Sequence, residues 1–135
     1  MRRLSKQQIM FHVIEKFSMA RGIVVLDENV ESAAQALKDK NLRVIKVMSG
    51  MSDERIKQTV LSGRIFITNN TQDFIEDAKR LEYGIISTEG ISDKDPEHLA
   101  DLISRAIIDH SLWSKKRGFV VRLLKSGKSS FREIK

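Results

Sequence analysis

The segment ITNNTQDF, residues 67–74, leaves an apolar run and at once presents two amides and a carboxylate, Asn69, Asn70 and Asp73. A turn could use the asparagines for their local hydrogen bonds alone. Carboxylates, however, recur at comparable places. Asp27 and Glu28 follow the run GIVVL, Asp53 and Glu54 follow LRVIKVM, and Glu89, Asp93 and Asp95 follow GIIST. Each acid singly suits a helix N-terminus, where it meets the positive end of the macrodipole. Several converging acids are another matter, since like charges about 4 Å apart repel by roughly 4 kcal/mol at an effective dielectric of 20. Such a group needs protons or a cation. The chain has no cysteine and three scattered histidines, so hard oxygen ligands favour Mg²⁺ or Mn²⁺ over zinc. A hard divalent ion beside a basic surface suggests phosphodiester hydrolysis, in which the metal activates water and steadies charge on the phosphate. Asn70 is then expected to act as a neutral ligand or to orient that water.

For the acids to meet, the runs that precede them must be strands of one sheet. Runs 22–27, 42–48, 64–68 and 84–88 are short and β-rich, and each is followed by a helical pattern: 29–40, 52–63, 73–84 and 95–113. Ser52 is the expected cap of the second helix and Gly63 its stop; Asp95 caps the fourth, with Pro96 at its first position. Alternating strands and helices predict an α/β fold with a mostly parallel central sheet. In open sheets of this kind, sites form outside the carboxyl ends of the strands. Residues 4–20 predict an amphipathic N-terminal helix ended by Gly22, a surface for homodimer formation or for covering the sheet. At the other end, RGFVVRLL and SSFREI, joined by KSGK, predict an antiparallel hairpin that extends the sheet edge or projects as an arm.

At 135 residues the chain fits one domain, divided here into an N-terminal helix (1–21), an α/β core (22–112) and a basic hairpin (113–135). The N-terminus has no signal-peptide pattern and no apolar run reaches membrane-spanning length. A soluble, cytoplasmic protein is expected. The formal charge of +6 is uneven: residues 1–110 carry 16 Lys and Arg against 17 Asp and Glu, and residues 111–135 carry 8 against 1. Lys115, Lys116, Arg117, Arg122, Lys125 and Lys128 therefore form a candidate nucleic-acid surface, with charged protection of an exposed strand edge as the plainer explanation.

Three motifs carry a family resemblance. VVLDENV (24–30), MSDERI (51–56) and RIFITNNTQDF (64–74) resemble the PIN-like domains, close to the small toxin-associated PIN-like proteins, over roughly residues 23–88. The resemblance implies a PIN-like three-layer sandwich and a Mg²⁺- or Mn²⁺-dependent ribonuclease, the toxin of a toxin–antitoxin pair, with RNA and a cognate antitoxin protein as partners. Position by position it implies that Asp27 is the first acid, Asp53 or Glu54 the second, and Asp73 the acid before Phe. Many of these domains have Asp where this chain has Asn70.

A catalytically weak or inactive relative that binds nucleic acid or a protein is the main alternative. A receiver-like phosphoacceptor domain is a third, opposed by the lack of Asp at the end of RIFIT and of Lys after GIIST. His12 is expected to be structural, and His98 and His110, about three turns apart on one helix, are too far apart to share an ion. Trp113 and Phe119 could stack on bases or anchor the hairpin.

Overall fold

A computed structural model describes residues 22–91 and 95–135. The predicted helix at 4–20 and Asp93 lie outside the described residues. The order of elements is β1 (Ile23–Leu26), a 3₁₀ turn (Glu28–Ala33), α1 (Ala34–Asp39), β2 (Arg43–Lys46), α2 (Asp53–Thr59), β3 (Ile65–Thr68), α3 (Thr71–Ile75), β4 (Gly84–Ser87), α4 (Pro96–Asp109), a 3₁₀ turn (Leu112–Ser114), β5 (Phe119–Leu123) and β6 (Ser129–Glu133). The six strands form one sheet in the order β2-β1-β3-β4-β5-β6, parallel throughout except for β6.

The central strands are apolar without interruption because both of their faces are buried. Val24, Leu26, Ile65, Ile67 and Ile86 point to one side, where Leu37 of α1 and Ile103 and Ile107 of α4 cover them. Val25, Phe66 and Ile85 point to the other side, against Ile56 of α2 and Phe74 of α3. This is a three-layer α/β sandwich. β5 continues the alternation, with Phe119 and Val121 on the α4 face and Val120 on the other. The C-terminal segment is thus no projecting arm: its first strand joins the parallel sheet beside β4 and only its second runs back along the edge.

Three helices are shorter than their sequence patterns suggest; the first half of the 29–40 pattern is the 3₁₀ turn, which leaves α1 six residues. α2 begins as expected, with the Ser52 hydroxyl accepting from the Arg55 N–H, but ends at Thr59. Two β-branched residues, Thr59 and Val60, stand there, and the Thr59 hydroxyl donates back to the Arg55 carbonyl, a local bond that competes with helix continuation. α3 spans only Thr71–Ile75. Beyond it the chain turns through residues 76–82, and Glu82 takes a left-handed conformation at φ +57° that redirects it into β4. The fourth helix matches its signals, with Asp95 accepting from the His98 N–H and Pro96 at the first position.

Gly84 opens β4 directly under the ring of Phe119, and a Cβ there would overlap the ring. Phe119 is fully buried and has no free space to move into. Gly84→Ala is expected to destabilise the protein by about 1–3 kcal/mol through overpacking, measured as a lower urea midpoint with an unchanged slope. Among the described residues no helix is long and apolar enough to cross a membrane.

Candidate functional site

The strand order changes direction between β1 and β3: the chain passes from β1 outward to β2, then returns to the far side of β1 to build β3, β4 and β5. The crevice outside the carboxyl ends of β1 and β3 is therefore the topological switch point, the usual place for a ligand in an open α/β sheet. Asp27 lies at the end of β1 and Thr68-Asn69-Asn70 at the end of β3.

Asp27 is held from three directions. Its Oδ1 accepts from the Glu28 N–H at 2.8 Å, and its Oδ2 accepts from the Thr68 hydroxyl at 2.7 Å and from Asn29 Nδ2 at 3.2 Å. Thr68 is fully buried, and its oxygen also accepts from the Asn70 N–H at 2.9 Å. One hydroxyl thus links the backbone after β3 to the carboxylate after β1. Neither Thr68 nor Asn29 stood out in the sequence; the available signal was a polar residue closing a strand otherwise made of Ile and Phe.

The other acids arrive from the α2 and α3 side. The carboxyls of Asp53, first residue of α2, and Asp73, in the first turn of α3, lie close enough to interact, and Asp27 is near enough to act on Asp53 through its charge. Partial loss of water, then the negative charges of Asp73 and Asp27, push Asp53 above the ordinary carboxylate range against the pull of Lys57. Asp53 remains an exposed residue, so the repulsion from its two neighbours is the part that bears on function. Asn70 donates its side-chain N–H to Asp73 Oδ2 at 2.7 Å. That amide N–H therefore positions a carboxylate.

Glu54 does not join them. Residues 53 and 54 lie about 100° apart around a helix of 3.6 residues per turn, and Glu54 points instead to Gln58, whose Nε2 donates to it at 3.1 Å, and toward Arg80. The second acid of the group is thus Asp53. Among the described residues no group of three or more His, Cys, Asp or Glu side chains is arranged to hold a metal ion. The arrangement is a contacting pair, Asp53 and Asp73, with Asp27 fixed beside it. Mg²⁺ commonly keeps several waters and takes only one or two carboxylates from the protein, so the donor chemistry of this pair fits such a cation. Glu28 and Glu89 have structural bonds of their own: Glu28 Oε1 accepts from the Gly50 N–H at 3.2 Å, and Glu89 Oε1 accepts from the Thr71 N–H at 2.7 Å. The bonds from Thr71 hold Glu89 below the usual carboxylate range.

No family model, curated protein or solved structure matches this chain. The assignment of the site therefore stands on its chemistry.

The six candidate basic residues separate into two groups, because β5 runs parallel to β4 and carries them to opposite ends of the sheet. Lys115, Lys116 and Arg117 precede β5, beside Gly63 and the start of β4. Arg122, Lys125 and Lys128 lie toward its carboxyl end, on the edge that carries the acids, and Arg122 is close enough to Glu89 to help keep it ionised. Arg117 is not a free cation. Its Nε donates to the Gly63 carbonyl at 3.0 Å and its NH1 to the carbonyls of Leu112 and Lys115 at 3.1 and 2.9 Å, with the guanidinium 5.8 Å from the centre of the Trp113 ring. Burial lowers its pKa from the ordinary guanidinium value. Trp113 packs on Gly22 at the start of β1, and Phe119 is core, so both anchor the fold.

The second group shares with the acids the carboxyl edge of the sheet, and so lies nearest a phosphate backbone that reaches them. A Lys125→Gln, Lys128→Gln double variant is expected to reduce the slope of log K against log salt for single-stranded RNA by about 1.4, two contacts at about 0.7 each. The matching Lys115→Gln, Lys116→Gln variant is expected to leave it unchanged in the same filter-binding titration.

Proposed function

We propose that the protein is a metal-dependent ribonuclease of the PIN-like type that hydrolyses RNA phosphodiester bonds at the β1/β3 switch point. The observation that carries this reading is the contact between Asp53 and Asp73 in the field of Asp27. Three acids from distant segments come near one another although their charges repel, a cost that the favourable helix-terminus position of each does not require them to share.

In this reading Asp53 and Asp73 supply the oxygen atoms that hold Mg²⁺ or Mn²⁺, and Asp27 adds negative charge at a place fixed by Thr68, Asn29 and the Glu28 N–H. When bound, the cation lowers the pKa of water and offsets charge on the phosphate. Asn70 keeps Asp73 oriented, and Lys125, Lys128 and Arg122 dock the neighbouring phosphates. The resemblance adds a protein antitoxin as the expected partner.

The catalytically weak or inactive binder is favoured by one observation, the lack of a three-acid group arranged for a metal among the described residues. The receiver-like alternative shares the strand order but would need a carboxylate where β3 ends in Thr68 and Asn69. The deciding experiment is cleavage of a labelled structured RNA with Mn²⁺ or Mg²⁺, beside EDTA and an Asp27→Asn, Asp73→Asn double variant shown to be folded. Metal-dependent cleavage that the variant loses supports the nuclease. Equal rates for both proteins with either metal would leave the RNA-binding reading.

A further inference from the structure

On the α4 side of the strand ends lies a cleft of about 390 Å³. Its walls are of two kinds. Val30, Ile91 and Leu99 form an apolar side, while Asn29, Asn69 and Glu89 bring polar groups to the rim. The volume is at the small end of the roughly 300–1,000 Å³ range of ligand sites, suited to one flat ring system.

Asn29, which lines the cleft, ties it to Asp27. Asn29 donates to Asp27 Oδ2 and, through its Oδ1, accepts from the Asn69 N–H at 3.1 Å. One side chain therefore fixes both the carboxylate at the crest and the backbone at the cleft. The acid pair belongs to α2 and α3, which cover one face of the sheet, whereas Val30 and Leu99 belong to the core of the opposite face. A strand of RNA with its phosphate over the acids would cross the strand ends here and direct a base into the cleft.

Two groups are available to meet that base. Among the described residues the Asn69 side-chain amide makes no hydrogen bond, leaving one donor and one acceptor side free. Glu89 accepts from the Thr71 N–H through Oε1, and its charge is held beside Arg122; a carboxylate can accept further at Oε2. We propose that this cleft is a nucleobase subsite in which Asn69 and Glu89 read the base beside the scissile phosphate and favour bases that carry an exocyclic amino group over uracil. Adenine, cytosine and guanine each offer an amino N–H to the Glu89 carboxylate. Uracil instead has a carbonyl oxygen on either side of its one ring N–H, and those oxygens repel the carboxylate. The subsite rests on the ribonuclease reading for the phosphate beside it, but not for contact with the base.

The test is equilibrium binding of 5′-CMP and 5′-UMP in EDTA, followed by amide chemical shifts, on the full chain. The two nucleotides differ at the ring position where an amino group replaces a carbonyl. CMP is expected to bind about tenfold more tightly, within the 1–3 kcal/mol that a good base contact discriminates. Glu89→Gln keeps an acceptor for the Thr71 N–H and adds a donor, and is expected to reduce or reverse that preference with the fold intact. Asn69→Ala is expected to weaken both nucleotides. Equal binding of CMP and UMP, or a preference that survives in Glu89→Gln, would overturn the subsite. Mapping of cleavage products separates the two claims. Metal-dependent cleavage without base preference removes the subsite and leaves the nuclease, whereas CMP preference without cleavage does the reverse.

Discussion

Asp53→Asn is expected to reduce metal-dependent RNA cleavage by at least about a hundredfold while changing stability at pH 7 by less than about 1 kcal/mol. The loss of rate follows from removing one of the two oxygen donors of the proposed metal site: a bound cation contributes several kcal/mol of charge stabilisation, and each 1.36 kcal/mol is a factor of ten. The small change in stability is the sum of two opposed effects. Asp53 interacts favourably with the N-terminus of α2, worth about 0.3–1 kcal/mol for an exposed charge, and unfavourably with Asp73 and Asp27. A residue conserving only helix capping would show the first effect without the second.

The pH dependence distinguishes them. Because the fold raises the Asp53 pKa above its ordinary value of 3.8, folded protein binds the more protons in the window between the two values. Its contribution to stability is thus fully present below the ordinary value and is lost as pH rises through the raised one. Asp77, Asp101 and Glu89 are shifted the other way, and their stabilising contributions are lost as pH falls. They are common to both proteins and cancel in the difference. Relative to wild type, Asp53→Asn should gain stability between pH 4 and pH 7 in urea unfolding. A variant that instead loses ground as pH rises would show Asp53 to be a favourable charge at the N-terminus of α2 without electrostatic strain.

What the sequence revealed of this fold follows from which interactions are local. Strands buried on both faces become unbroken apolar runs, so VVL, IFIT and GIIS were recognisable without their partners. Ser52 and the Asp95-Pro96 pair marked helix starts through bonds made within three residues. The ends of α2 and α3 depended on weaker competition, in β-branched residues and a left-handed Glu82, and periodicity carried the patterns too far. The acids were legible because strand ends place them. Which of Asp53 and Glu54 faces inward was a matter of helix phase, and the Thr68 hydroxyl joins residues 41 positions apart, beyond the reach of any spacing argument. The basic tail shows the same limit. As a linear count it is one patch, but a five-residue strand spans roughly 17 Å at about 3.3 Å per residue, enough to send its ends to different edges of the sheet.

Arg117 shows the consequence most sharply. Composition places it in a phosphate-binding surface, whereas its guanidinium donates to three carbonyl oxygens that belong to the loop before β3, the turn after α4 and its own approach to β5. Arg117→Ala removes these charge-assisted bonds together; the Leu112 carbonyl keeps the Lys115 N–H, and the more exposed Gly63 and Lys115 carbonyls turn to water. Hydrogen bonds to charged groups contribute about 1.5–3 kcal/mol each, and partial exposure reduces that sum to an expected loss of about 2–4 kcal/mol in stability. The salt dependence of RNA binding, measured where the variant remains folded, is expected to match wild type, because no phosphate contact has been removed. A variant with wild-type stability and a salt slope reduced by about 0.7 would return Arg117 to the nucleic-acid surface. The expected result gives the two ends of β5 separate work: one locks the amino ends of β3, β4 and β5 together, and the other presents cations beside the acids.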